Sequence, residues 1–333
     1  MVIAAIDIGK ARLQAASLDR VSGVSGEARF AADREALHGW VDSFGGRLGR
    51  VAIEATTGWL WIARELGGRG VEVVLLDPGE ASALKGRKRR AKTDRLDARF
   101  LLSLLVAGIA PEAWLPPEEI SELRTLTRTR KALVDERTRL AERVQALLFH
   151  EGWPCRRGRL LTVAGRRWVE GLQLSAPTRL ALQALLRSID ELERSVAPLD
   201  HELRLRAKRD PRLVALQGIY GVGPIVATHL LAEIGDAHRF RRARQVVRLS
   251  GLDPVVLESG DSKRRGRLAK AGPPLLRWAL VEAAQQARRS SSPDHERWLR
   301  IQQRRGARVA NLTVARTIAA RAYRTLHDLE QAA

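Results

Sequence analysis

The chain has 333 residues, 58 Lys and Arg against 38 Asp and Glu for a formal net charge of +20, and a single cysteine, Cys155. That length exceeds one ordinary core and predicts two domains with a connector, while one cysteine excludes an intrachain disulfide and a cysteine-based zinc site. The longest apolar run, 101–110, is too short to span a bilayer, Asp7 interrupts the first apolar stretch so that no signal peptide is expected, and the arginine-dominated charge suits phosphate and guanine, making nucleic acid the favoured partner.

In chain order, VIAAIDIGKARLQAASLD predicts two short strands around a turn at Gly9 and Lys10, with Asp7 near the end of the first. A helix is expected over 32–44, a buried strand over 51–55, a helix over 59–66 and another buried strand over 71–78, stopped by Pro78. The alternation gives an α/β sheet with Asp7 and Glu54 at strand ends. A basic loop, KGRKRRAK, carries Lys85, Arg87, Lys88, Arg89, Arg90 and Lys92, and a helix begins near Asp94.

Beyond Pro116 the pattern is helical. Leu123, Leu126, Leu133, Leu140, Val144 and Leu147 fall on three- and four-residue steps, with Arg130 and Arg137 at seam positions too, and Leu182 to Leu203 repeats the spacing. Two long helices of a coiled-coil arm are predicted over 116–208, pairing with each other or with another subunit. Pro198 is expected to kink the second, and the insert 151–174, with Trp153 and Trp168, to form the tip. A mainly helical domain is expected over 209–333. It opens with two short helices around a turn holding Gly218, Gly221 and Gly223, a helix-hairpin-helix pattern whose backbone N–H groups suit a phosphate. Further on, Ser259 and Gly260 precede Lys263, Arg264, Arg265, Arg267 and Lys270 in a basic stretch read as a flexible turn, with Ser262 a second hydroxyl nearby.

Asp7, Glu54, Asp94 and Asp97 are positioned so that strand ends and one helix face could bring four carboxylates together, the donor set of a nuclease-type site for Mg²⁺ or Mn²⁺. Asp94 and Asp97 alone also suit a helix N-cap and a first-turn acid. The histidines lie apart without ligand spacing, and Trp59, Trp61 and Trp278 read as core residues that could alternatively stack on a base.

Several blocks in order, AIDIGK, VAIEATTGW, VEVVLLDPGEASALKGRKRRAKTDRLDARFL, GIYGVGP, and GLDPVVLESG with GRLAKAGPPLLRWAL, resemble the IS110-family transposases, also called DEDD or Piv/MooV-type DNA recombinases. The resemblance implies an RNase H-like, RuvC-like domain over 1–115, the coiled-coil linker over 116–208, and a C-terminal transposase domain over 209–333. By position, Asp7, Glu54, Asp94 and Asp97 match the family's acids. Ser259 matches its nucleophilic serine, since it directly precedes glycine. The implied activity is cutting and rejoining of donor and target DNA through a covalent phosphoserine link. A structured noncoding guide RNA, a homo-oligomer (dimer or tetramer) and a cytoplasmic, nucleoid-associated location without a membrane are also implied. The alternative expectation is a RuvC-like structure-selective endonuclease using the same acids with water as nucleophile. A non-catalytic nucleic-acid-binding protein would lack metal-dependent turnover altogether.

Overall fold

Alternating burial builds the first 115 residues around a sheet. The computed structural model describes residues 1–85, 93–155, 157–259 and 262–331. Strands β1 (Val2–Ile8), β2 (Arg12–Asp19) and β3 (Ser25–Ala31) are followed by α1 (Arg34–Asp42), β4 (Leu48–Glu54), α2 (Trp59–Gly68), β5 (Glu72–Leu76), α3 (Pro78–Leu84) and α4 (Asp94–Val106). The sheet order is β3-β2-β1-β4-β5. β1 to β3 pair antiparallel, whereas β4 is parallel to both β1 and β5.

Each central strand presents two apolar faces, because successive side chains alternate. Val2, Ala4, Ile6, Val51 and Ile53 join Leu37, Ile62 and Leu66 of α1 and α2 on one face. On the other, Ile3, Ala5, Ala52, Val74 and Leu76 pack against Leu101 and Leu105 of α4. Two elements depart from the expectation. β3 is an edge strand of mostly exposed residues, with too little apolar alternation to announce itself. Pro78, expected only to stop a strand, opens α3, with the Asp77 carboxylate accepting from the Glu80 N–H at 2.9 Å.

A second compact unit spans Pro116–Ala333, separate from Met1–Leu115. Within it α5 (Glu118–His150), α6 (Arg157–Leu160), α7 (Val163–Glu170) and α8 (Ala176–Arg209) precede α9 (Pro211–Gln217), α10 (Pro224–Ile234) and α11 (Ala243–Leu249). β6 (Pro254–Ser259) and β7 (Ser262–Leu268) form an antiparallel pair, followed by α12 (Pro274–Ala284), α13 (His295–Arg305) and α14 (Ala307–Gln331). The two long helices pair with each other: Leu140, Val144 and Leu148 of α5 share a core with Leu182 and Ile189 of α8. Their seam arginines form ion pairs across it, although Arg137 Nε is buried without a hydrogen-bond partner among the described residues. Arg130 pairs with Asp200, Arg137 reaches Glu193 at 3.6 Å, and Arg206 reaches Glu122, so ascending positions on α5 meet descending ones on α8 and the pair is antiparallel. α8 remains helical through Pro198.

α10 lies at the centre of this unit, with every residue from Ala227 to Ile234 buried. Its C-terminal carbonyls are capped from outside the helix: Arg124 donates to Ala232 O at 2.7 Å and Arg239 to Ile234 O at 3.0 Å. Glu233, 2% exposed, accepts two bonds from Arg128 at 3.1 and 3.2 Å. Burial holds the Arg239 guanidinium down to about 10, with the neighbouring Arg124 charge acting in the same direction.

Candidate functional site

In the first unit, the alternation that puts Ile3 and Ala5 under α4 puts Asp7 on that same face of β1, and the alternation through Ala52 does the same for Glu54. Ile6 pairs with Ile53 in the parallel register, so the residues that follow, Asp7 and Glu54, stand side by side at the C-terminal ends of neighbouring strands. α4 completes the arrangement. Its buried stripe, Ala98, Leu101, Leu104 and Leu105, continues N-terminally through Asp97 and Asp94 at three- and four-residue steps. Packing the apolar end of that stripe on the sheet carries the two acids towards the strand ends.

The electrostatics register this convergence. Asp7, half-buried, is pushed up to about 6, first by burial and then by the charges of Asp97, Asp94 and Glu54 in that order, with Lys85 opposing. Lys85 Nζ ion-pairs with Asp97, whose side chain is 18% exposed, and also lies 5.4 Å from the centre of the Phe100 ring. Lys85, expected as a nucleic-acid contact, is thus a partner of the acidic group. Among the described residues, no three acidic, imidazole or thiol side chains stand within a common metal-binding distance. Thr93, rather than Asp94, is the N-cap of α4, accepting from the Leu96 N–H at 3.3 Å. That leaves Asp94 free of the capping role. Arg95 and Arg99 both pair with Glu27 on β3, which ties α4 to the sheet edge. The expected contacts Arg87, Lys88, Arg89, Arg90 and Lys92 lie outside the described residues.

In the second unit the glycine turn joins α9 to α10. Gly221 has φ +87° and its missing Cβ would stand 2.5 Å from Ala283 O, so backbone packing against α12 already requires glycine there. Gly223 is the N-cap of α10 without a side-chain cap, and a cavity of about 510 Å³ opens beside the turn, bordered also by Gln286 and Arg289. No sequence pattern marks Arg289 or Tyr220, which bonds Ser291 at 2.7 Å, and both are recognisable only once α12 folds against the turn.

Ser259 ends β6 and pairs in register with Ser262, so the serine stands at the tip of a hairpin, not in a flexible turn; Gly260 lies outside the described residues. Lys263, Arg264 and Arg265 belong to β7, opposite Glu258, Leu257 and Val256. Arg267 and Lys270 are exposed. The root of the hairpin is a backbone crossing. Gly272 (φ +81°) lies so close to Leu249 that a Cβ would stand 1.9 Å from its carbonyl oxygen, and a Cβ on Gly251 (φ +65°) would stand 2.2 Å from Ala271 O. Lys270 adopts φ +52° and donates its N–H to Gly251 O at 3.1 Å. The stiff Pro273–Pro274 start of α12 follows directly and fixes where this crossing ends.

Trp59 and Trp61 pack against the sheet core. Trp278 meets the fully buried His229 edge-on at 5.0 Å and Lys131 Nζ at 5.0 Å. No helix among the described residues is long and apolar enough to cross a membrane.

Comparison with known proteins covers both units. Residues 4–150 match a transposase model of the IS110 DEDD type, and residues 214–299 match the family described as "Transposase IS116/IS110/IS902 family". A "Probable family 20 transposase" of Pseudomonas aeruginosa is 32% identical over 276 residues, 80% of each chain. The transposase for insertion sequence element IS1111A of Coxiella burnetii is 26% identical over 72% of this chain and 65% of its own length. That for IS1328 of Yersinia enterocolitica is 27% identical over 70% and 69%.

Proposed function

The chain belongs to the IS116/IS110/IS902 transposase family and is a DNA transposase of an insertion sequence, and from that premise we propose that it cuts and rejoins DNA with the carboxylates of Asp7, Glu54, Asp94 and Asp97 and the hydroxyl of Ser259. The observation that carries this reading is the placement of Asp7 and Glu54 side by side at neighbouring strand ends, with Asp97, Asp94 and Glu54 adding to burial in pushing the Asp7 carboxyl up to about 6. The mixed five-stranded order β3-β2-β1-β4-β5, with its acids at the ends of β1 and β4, supports an RNase H-like, RuvC-like domain.

The donor chemistry fits a divalent cation. Carboxylate oxygens are hard ligands suited to Mg²⁺ or Mn²⁺, and the charges crowding Asp7 are the kind a cation offsets. Asp7, Glu54, Asp94 and Asp97 would hold the ion, which when bound supplies positive charge to a non-bridging phosphate oxygen. Lys85 holds Asp97 and lowers the charge density among the acids. Ser259 Oγ attacks phosphorus: the Oγ–P bond forms, the bond from phosphorus to the leaving strand's oxygen breaks, that oxygen gains a proton and the serine hydroxyl loses one to a base. The link conserves the phosphodiester for rejoining. Lys263, Arg264, Arg265, Arg267 and Lys270 supply positive charge near the attacked phosphate. The glycine turn at Gly221 and Gly223 serves as a helix-hairpin-helix backbone contact, with Arg289 beside its cavity.

The three-part division of labour, acids over 1–115, an arm over 116–208 and the serine and turn over 209–333, belongs to this reading. So do a structured guide RNA, a cytoplasmic site of action on the nucleoid, and a dimer or tetramer in which the acids of one subunit serve the serine of another. Strand-transfer assays on Asp7→Ala and Asp97→Ala proteins test the acidic site: both should lose strand transfer while retaining DNA binding, and persistence of transfer in either refutes its role.

A further inference from the structure

Away from the acids and the serine hairpin, one cavity is walled mainly by arginines. It measures about 640 Å³ and is lined by Arg241, Arg242, Arg244, Gln245, Arg248 and Asp253. Arg244, Gln245 and Arg248 share one face of α11 at three- and four-residue steps, opposite the fully buried Val246. Arg241 and Arg242 lead into the helix, and both backbone N–H groups donate to Gln245 Oε1, at 2.7 and 3.1 Å. Gln245 thereby gathers the two incoming arginines beside the helical pair.

All four arginines are exposed, and none forms a salt bridge among the described residues. Several arginines elsewhere in this unit are neutralised instead: Arg128 by Glu233, Arg130 by Asp200, Arg212 by Asp210 and Glu119, and Arg321 by Asp294. Four like charges around one cavity repel each other, and Asp253 is the one carboxylate lining it among the described residues, so the cavity keeps an excess of positive charge complementary to an external anion. Guanidinium forks match phosphate oxygens two at a time.

We propose that this cavity binds the sugar-phosphate backbone of a nucleic acid, as a contact separate from the glycine turn before α10 and from the β6–β7 hairpin. The proposal rests on the reading of the chain as an enzyme that acts on DNA. The phosphodiester backbone is common to DNA and RNA, and the test separates them.

Binding of the full-length protein to a duplex DNA, a single-stranded DNA and a structured RNA is measured by fluorescence anisotropy across a salt series. The Arg244→Gln/Arg248→Gln pair removes both charges while keeping good helix formers, and Arg244→Lys/Arg248→Lys keeps the charges. Each phosphate contact contributes about 0.9 to the log–log salt slope on duplex DNA and about 0.7 on a single strand, so the Gln pair should shallow the slope by about 1.8 or 1.4 and the Lys pair should leave it near wild type. A reduced slope on DNA only assigns the cavity to DNA, and one on RNA only assigns it to RNA. Unchanged slopes on all three, with wild-type binding intact, overturn the cavity and leave the transposase reading standing. Wild-type protein without salt-dependent binding overturns both.

Discussion

Replacing Asp7 by Asn should stabilise the metal-free protein, and by an amount that depends on pH. The Asp7 carboxyl stands at about 6 in the fold against an ordinary 3.8, because burial and the charges of Asp97, Asp94 and Glu54 disfavour its ionised form. Below pH 3.8 the group is protonated in both states and contributes nothing. Between 3.8 and 6 the unfolded chain ionises while the fold holds its proton, so stability falls as pH rises. Above 6 the loss is complete. The gap between 3.8 and about 6, at about 1.4 kcal/mol per pH unit, bounds the cost at about 3 kcal/mol; half-exposure screens it to about 1–2 kcal/mol. Asparagine carries no charge and escapes that cost. Urea unfolding of both proteins in chelator should therefore show nearly equal stabilities at pH 4 and an advantage of about 1–2 kcal/mol for the variant at pH 7.5. Millimolar Mg²⁺ should then raise wild type more than the variant, because only wild type retains all four ligands. An Asn advantage that fails to grow between the two pH values would refute the claim that burial and the neighbouring acids raise the Asp7 carboxyl.

Other outcomes follow from the same geometry. Lys85→Ala removes a cation that lowers Asp7, so the Asp7 carboxyl should titrate higher than in wild type by carbon-detected NMR. Gly272→Ala puts a Cβ 1.9 Å from Leu249 O at φ +81°, which should cost at least about 2 kcal/mol in urea unfolding and loosen the hairpin root, read as faster amide exchange in β6 and β7. Glu233→Ala leaves the Arg128 fork without its carboxylate and opens space beside α10, with an expected loss of about 1–3 kcal/mol measured by the same unfolding.

The first unit was the more legible in sequence. β1, β2, β4 and β5 carry apolar runs, and Asp7 and Glu54 interrupt those runs at strand ends, where an acid needs a reason to be. β3 escaped because SGEARFA pairs through its backbone at a sheet edge with few apolar side chains to mark it. α3 is hidden because Asp77-Pro78 marks a strand stop as readily as a helix start, and only the fold shows the capping acid before proline opening a helix. In the second unit, the 3-4 spacing announced α5 and α8, but which surface each would find depends on ion pairs such as Arg130–Asp200 that no local pattern encodes. The β6–β7 hairpin was invisible for a different reason: SKRRGRL has the composition of a solvated loop, and its strand conformation comes from pairing with PVVLES above a glycine crossing. Lys85 belongs by sequence to its basic neighbours, yet its partner Asp97 is set by tertiary placement. The arginine cavity on α11 is hidden likewise, because only the structure shows which of the many arginines gather around one cavity.

The measurement that bears most directly on the central claim is capture of an SDS-resistant protein–DNA adduct, with wild-type, Ser259→Ala and Ser262→Ala proteins expressed beside their native flanking DNA and supplied with Mg²⁺. An adduct in wild type and Ser262→Ala that is absent from Ser259→Ala is the expected result. Mg²⁺-dependent cuts of equal yield in wild type and Ser259→Ala, with no adduct in either, would contradict the serine mechanism and identify water as the nucleophile at the acidic site.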